Sequence, residues 1–320
     1  MIYLNRQDIH KATDVNELVD TIEESMVLYE EGRCNMPQRM HVDYEGNTLL
    51  LMPCFTESAF GTKLVSLFPD NPAKGMPVLT GLAVLNDIST GEPLAVLDGP
   101  TLTAMRTASV ASVSIRHLVS DDAKSVGVIG AGVQGYYQAW IACASKGLSE
   151  VCVFDVIGER AEVLSKELAR TLPGVNIHAA ATVEDLLSRC DTVITATTSL
   201  KPVLPDDSEL LKRKHFVGIG SYKPEMREFP RAMFELVDKV FVDTDHALGE
   251  AGDLIVPLRE GWIEEDQVVT FGRFLKDNTA KSSKETTFFK SVGMAIFDVC
   301  ASRLVYEKAM EKGLGQKMDT

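Results

Sequence analysis

The chemistry legible in this chain begins at Val126-Gly127-Val128-Ile129-Gly130-Ala131-Gly132-Val133-Gln134-Gly135, an apolar run that breaks into a Gly-x-Gly-x-x-Gly turn. That spacing is weak evidence by itself and gains meaning when a strand precedes it and a helix follows. Gly130 permits the tight turn, Gly132 lets the backbone meet a pyrophosphate, and Gly135 lets the helix press on the sheet. Val133 and Gln134 open that helix, whose unpaired N–H groups and dipole attract phosphate. The next apolar run, Glu150–Phe154, leads into Asp155, 20 residues beyond Gly135. A carboxylate there accepts hydrogen bonds from ribose hydroxyls and repels a 2′-phosphate, so NAD(H) is expected over NADP(H). Capping the following helix is the competing role for Asp155. Thr197 and Thr198 end a later apolar run, where open α/β sheets take their ligands. They count as cofactor neighbours, with turn formation as the plainer role.

These residues need elements to hold them. Residues 14–32 place Val15, Leu18, Val19, Ile22, Met26 and Val27 on one helical face, entered through Asp14 and closed near Gly32. From about 38 to 98 the texture changes to short β-like runs, Thr48–Cys54, Gly61–Leu67, Leu79–Leu85 and Pro93–Leu97, divided by turn residues. This predicts an antiparallel sheet on the first helix. Pro100–Leu118 is rich in Ala, Ser and Thr around Arg106, which predicts a closely packed helix beneath a site. From Lys124 strands alternate with helices: Ser125–Ile129, Glu150–Phe154, Val175–His178, Thr192–Ala196, His215–Ile219 and Lys239–Val242 are the expected strands. That rhythm predicts a parallel sheet covered on both faces. A closing helix is expected from about Thr286 to Lys312.

Composition bounds the partners. At 320 residues the chain has room for two domains. A net charge of −14 repels nucleic acid and anionic lipid, so neither is an expected partner. An anionic substrate would then need a local cationic pocket. The six cysteines are scattered, with no CxxC and no His at metal spacing, so reduced buried thiols are expected and no metal. The first residues show no basic region followed by an apolar run, and no stretch reaches the roughly 20 apolar residues of a bilayer span. A cytoplasmic enzyme is the expectation.

Several separated segments share one likeness. They are Pro37-Gln38-Arg39, Gly61-Thr62-Lys63 leading to Pro69-Asp70-Asn71, and Leu102-Thr103-Ala104-Met105-Arg106-Thr107-Ala108. After the glycine turn come Gly220-Ser221-Tyr222-Lys223-Pro224 through Arg227-Glu228, Glu250-Ala251-Gly252-Asp253, and Lys290-Ser291-Val292-Gly293 with Asp298. In this order, over about residues 37–298, the sequence resembles the ornithine cyclodeaminase and mu-crystallin family. The resemblance implies an α/β protein in which a Rossmann NAD-binding domain, 113–284, is inserted into an α+β substrate-binding and dimerisation domain, 1–112 with 285–320. It also implies a homodimer that handles a small amino or imino acid with a nicotinamide cofactor. The family's substrate cations fall on Arg39, Lys63 and Arg106. Chemistry agrees: Arg offers a fork that binds a planar carboxylate bidentately, whereas a desolvated Lys suits proton transfer. Ser221, Lys290 and Gly293 fall near the cofactor. Lys290 has a solvated cation as its plainer reading, and Asp298 either orients a neighbour or faces solvent.

One departure separates the branches. Cyclodeaminases carry an Asp two residues after the glycine matching Gly220, to take a proton from the distal ammonium; here Tyr222 stands in that place. A phenol, with an ordinary pKa of about 10, is a poor base at neutral pH. Glu225 and Glu228 are the alternative carboxylates. The segment around Tyr222 is closer to the ketimine reductase branch, which implies an NADH-dependent reductase of a cyclic imino acid such as pyrroline-2-carboxylate. Arg39 and Arg106 would hold the carboxylate, Lys63 would protonate the imine or position the water that does, and Tyr222 completes the catalytic set. The alternatives are ornithine cyclodeamination to proline and ammonia, an alanine-type dehydrogenase, and a non-catalytic ligand binder like mu-crystallin.

Overall fold

The computed structural model describes residues 1–277 and 285–318. The chain divides into two compact units, Met1–Arg106 with Met294–Thr320, and Thr107–Gly293.

The first unit is built on an eight-stranded sheet in which Asn47–Thr56, Phe60–Leu67, Leu79–Asn86 and Pro93–Asp98 form an antiparallel meander. Ile2–Leu4 adds a parallel pairing to Pro93–Asp98. Side chains alternate along the strands: Met52, Cys54, Lys63, Val65, Ala83, Leu85, Ala95 and Leu97 are buried on one face. Leu49, Phe55 and Leu82 lie exposed on the other, joined by Met40 and Val42 of the strand Met40–Tyr44. The sequence predicts that this sheet lies on the helix near residues 14–32. The helix that meets these strands is Ala295–Glu311, and Val15–Glu30 packs on that helix in turn. Sandwiched in this way, Ala295–Glu311 buries more than one face, which is why it lacks a single apolar stripe.

The second unit carries an eight-stranded, wholly parallel sheet. Its order is Asn176–Ala179, Glu150–Phe154, Ser125–Ile129, Thr192–Thr195, His215–Gly218, Thr287–Lys290, Val240–Val242 and Val268–Thr270. Strand order reverses between Ser125–Ile129 and Thr192–Thr195, the place where such sheets bind ligands beyond their carboxyl ends. Helices Val133–Lys146, Gly158–Thr171 and Val183–Arg189 fall where the alternation predicts them.

The segment after Glu285 departs from expectation. Thr286 to Lys312 is not one helix: Thr287–Lys290 is a strand between His215–Gly218 and Val240–Val242, and the helix starts at Ala295. Thr287, Phe288 and Phe289 are β-branched or aromatic, which suits a strand. Their pairing also carries the second unit to Gly293, not to the expected boundary at 284, which itself lies outside the described residues. At the other boundary, the helix Gly99–Leu118 begins in one unit and ends in the other, which divide after Arg106, not after residue 112. Among the described residues, no helix is long and apolar enough to cross a membrane.

Candidate active site

The glycine turn has the geometry its spacing implies. Gly130 has a φ of +109°, and a Cβ there would lie 2.7 Å from the Ala196 carbonyl oxygen. A Cβ on Gly135 would come within 2.1 Å of the Gly130 carbonyl oxygen, so only glycine lets the helix seat. Gly132 differs: a Cβ there would have nothing within 4 Å, and as the helix N-cap it supplies no side-chain cap. Open space faces unpaired N–H groups at the positive end of a 14-residue helix, a cradle that fits a pyrophosphate. Val133, 69% exposed, and Gln134 line its start.

Asp155 fastens this turn. Its two carboxylate oxygens accept the N–H of Ala131 at 2.8 Å and of Ile157 at 2.9 Å. It does not cap the next helix, whose N-cap is Ile157. A carboxylate accepts about four hydrogen bonds, so capacity remains for ribose hydroxyls. Beside it, Val156 is 90% exposed. An apolar side chain in water at the carboxyl end of a strand suits an adenine face, and the Val156-Ile157 pair directly after Asp155 is the sequence signal that could have found it.

Farther along the sheet edge several expected cofactor contacts prove structural. Thr197 spends its N–H and hydroxyl on Glu228, each at 2.8 Å, while Thr198 is exposed. The Ser221 hydroxyl is buried and donates to the Met226 carbonyl at 2.6 Å, so it is not turned to a ligand. Lys290 is neither solvated nor presented to a cofactor: it is fully buried, donates to the Gly218 carbonyl at 3.1 Å and lies 3.7 Å from Asp253. The N–H groups of Val292 and Gly293 both go to Asp243, so these donors are not turned to a ligand. Glu228 is buried under five donated hydrogen bonds, so it is no spare base. Tyr222 belongs to this second unit, is 43% exposed, and has the Lys223 ammonium 5.9 Å from its ring centre.

The expected substrate cations converge in the first unit. Lys63, on the inner face of Phe60–Leu67, and Arg106, on Gly99–Leu118, are 3% and 5% exposed. Both meet Asp298, one turn into Ala295–Glu311. Lys63 Nζ lies 3.0 Å from Asp298 Oδ1 and 2.9 Å from Oδ2, and Arg106 Nε donates to Oδ1 at 2.9 Å. Asp298 is thus the buried orienting partner, not a solvent-facing group. Only the Nε edge of the guanidinium is used there, which leaves its outer fork for a ligand carboxylate. Burial and Arg106 lower the Lys63 ammonium to about 8; Asp298 opposes them and half-buried Arg39 adds a smaller push. One turn before Arg106, Thr103 has a buried hydroxyl oxygen with no hydrogen-bond partner, a group free to meet a ligand that nothing in the local sequence singles out.

The chain is 31% identical to the Delta(1)-pyrroline-2-carboxylate reductase of Bacillus cereus, with all of both chains covered. It is 30% identical to an alanine dehydrogenase of Archaeoglobus fulgidus, over 99% of this chain and 98% of that one. Among solved structures, the Thermococcus litoralis Delta(1)-pyrroline-2-carboxylate reductase in complex with NADH and L-proline superposes with a TM-score of 0.91. That pair shares 31% identity, covering 99% of this chain and 100% of the other. An archaeal alanine dehydrogenase dimer with bound NAD gives a TM-score of 0.89 at 28% identity, over 100% and 99% of the two chains. The family model for ornithine cyclodeaminase/mu-crystallin matches residues 1–313, and the chain belongs to that family.

Proposed function

We propose that this protein is an NADH-dependent reductase of a cyclic imino acid, with pyrroline-2-carboxylate as the first candidate substrate. The observation that carries the reading is the buried centre in which Asp298 joins Lys63 and Arg106. The outer fork of Arg106, with Arg39, holds the substrate carboxylate. Lys63 Nζ faces the imine nitrogen and gives it a proton, which makes the neighbouring carbon more electrophilic. An ammonium held at about 8 is charged at neutral pH yet gives up its proton more readily than an ordinary lysine. Asp298 fixes the direction of Nζ and keeps two like charges together in a dry site. NADH, when bound at the glycine cradle, supplies the hydride.

Cyclodeamination is disfavoured because it needs a free carboxylate near the distal amine. Glu228 is fully engaged, Glu225 is exposed to solvent, and Tyr222 offers a phenol. Two assays decide: NADH consumption with pyrroline- and piperideine-2-carboxylate, and ammonia release from ornithine with catalytic NAD+. Ammonia without net change in NADH overturns the reductase reading. The alanine dehydrogenase relative favours one second reading, the same machinery acting on an acyclic imine. Oxidation of NADH by pyruvate with ammonia, and not by the cyclic imines, would establish it.

The substrate unit also serves as a dimerisation unit in this reading. Leu49, Phe55, Leu82, Met40 and Val42 form an exposed apolar sheet face that a second copy would cover. A homodimer predicts about twice the monomer mass in light scattering at micromolar concentration. The six free cysteines suit the reducing cytoplasm, where we place the enzyme.

A further inference from the structure

At the carboxyl ends of Thr192–Thr195 and His215–Gly218, one side chain gathers five donors. Glu228 Oε2 accepts the Thr195 hydroxyl at 2.9 Å and the N–H groups of Gly220 and Ser221 at 2.8 and 3.2 Å. Oε1 accepts the N–H and hydroxyl of Thr197, both at 2.8 Å. All of these donors are neutral, and an acceptor-only carboxylate matches them. Neutral donors hold such a group in place without cancelling its charge.

Behind Glu228, Asp253 Oδ1 accepts the N–H of Glu228 at 2.7 Å and of Phe229 at 3.1 Å. Its Oδ2 has no hydrogen bond and lies 3.7 Å from Lys290 Nζ. Burial pushes the Asp253 carboxyl up to about 6 against the pull of Lys290, with a further push from Glu228, so at pH 8 it is charged. Asp243 is likewise buried and accepts only neutral donors, the Ser291 hydroxyl and the N–H groups of Val292 and Gly293. Three buried carboxylates therefore stand against the buried ammonium of Lys290 at this sheet edge.

Buried charge is expensive when nothing opposite cancels it, which points to a ligand that makes use of it. The topology indicates which one. With the pyrophosphate at the turn after Ser125–Ile129 and Asp155 marking the adenosine half, the second mononucleotide half runs over the ends of Thr192–Thr195 and His215–Gly218. Glu228 lies at those ends. We propose that Glu228, with Asp253 behind it, gives the nicotinamide end of the cofactor site a standing negative charge that favours the cationic oxidised ring over the neutral reduced one. This rests on the NAD(H) reading above. The same charge lowers the barrier to hydride donation, because the ring turns cationic as the hydride leaves.

The test is the separate measurement of Kd for NAD+ and NADH at pH 8, by calorimetry, on wild-type protein and three variants. Glu228→Gln and Asp253→Asn each remove one negative charge, and the latter keeps an oxygen to accept the two N–H groups. In both, the ratio Kd(NAD+)/Kd(NADH) rises about threefold or more. Glu228→Asp keeps the charge and shortens its reach, so its ratio stays within about twofold of wild type. Equal weakening of both nucleotides in Glu228→Gln makes Glu228 mere scaffold and overturns the proposal. So does a ratio shift in Glu228→Asp as large as that in Glu228→Gln. If Glu228→Gln shows no cooperative thermal transition, Asp253→Asn decides by the same ratio. Wild-type protein that binds neither nucleotide overturns the cofactor reading instead.

Discussion

Lys63 Nζ sits astride the Asp298 carboxylate, 3.0 Å from one oxygen and 2.9 Å from the other, across 235 residues of sequence. Arg106 shares the first of those oxygens, so acid and substrate clamp hang from one buried anion.

Replacement of Lys63 tests the acid directly. Lys63→Met keeps most of the stem's volume and removes the ammonium. Imine reduction falls by about 100-fold or more, while the Kd for NADH stays within about twofold of wild type. Stopped-flow assay with fluorescence titration of the nucleotide checks both, and full activity in the variant removes Lys63 from the mechanism.

The pH dependence follows from the lowered Lys63 value. As acid, Lys63 must carry its proton, so kcat/KM for imine reduction declines as pH rises through about 8. Stability moves the other way. Below about 8 both the folded and the unfolded chain hold the proton, whereas between about 8 and the ordinary 10.5 only the unfolded chain does. Unfolding takes up a proton in that window, so Lys63 makes stability rise with pH across it. Urea unfolding of wild type and Lys63→Met at pH 7.5 and 10 isolates the effect: the rise is smaller in the variant.

Asp298→Asn separates positioning from packing. It strands two buried cations and is expected to destabilise the protein by about 3 kcal/mol or more. Because Asp298 is what holds the Lys63 value up, the decline of kcat/KM in surviving enzyme moves to lower pH. An unmoved pH profile alongside lower stability would show Asp298 to be structural only.

Much of this was readable in the residues. Gly-x-Gly-x-x-Gly, the alternation from Lys124 and the meander of short strands all rest on local periodicity, which survives without tertiary information. The convergence of Lys63 and Arg106 was carried by a resemblance. Nothing local says that a strand residue, a helix residue and Asp298 of a far later helix meet. The differences between sequence and structure share that origin. Lys290 and Ser221 have ligand-like chemistry, but their neighbours, Asp253, Gly218 and Met226, are set by sheet order and not by adjacency. Thr287–Lys290 carries no strand alternation of its own, because four buried residues are too few to show a period of two.

The two outer glycines of the turn and the middle one should fail differently. Gly135→Ala forces a Cβ against the Gly130 carbonyl at 2.1 Å and is expected to lower stability by about 2 kcal/mol or more. Gly132→Ala adds a Cβ to open space, so thermal stability changes by less than about 0.5 kcal/mol while NADH binding weakens at least tenfold. Differential scanning calorimetry with nucleotide titration distinguishes them. Unchanged NADH affinity in Gly132→Ala would place the pyrophosphate elsewhere.

The position of Thr287–Lys290 has a consequence for biosynthesis. This strand, the last of the parallel sheet to leave the ribosome, inserts between His215–Gly218 and Val240–Val242. Until it emerges, both neighbours have an open edge, and Phe216 and Phe241 lack the strand that covers them in the finished sheet. The nascent Rossmann unit therefore cannot close its centre until this strand has been made, and in that interval it is the natural client of a chaperone.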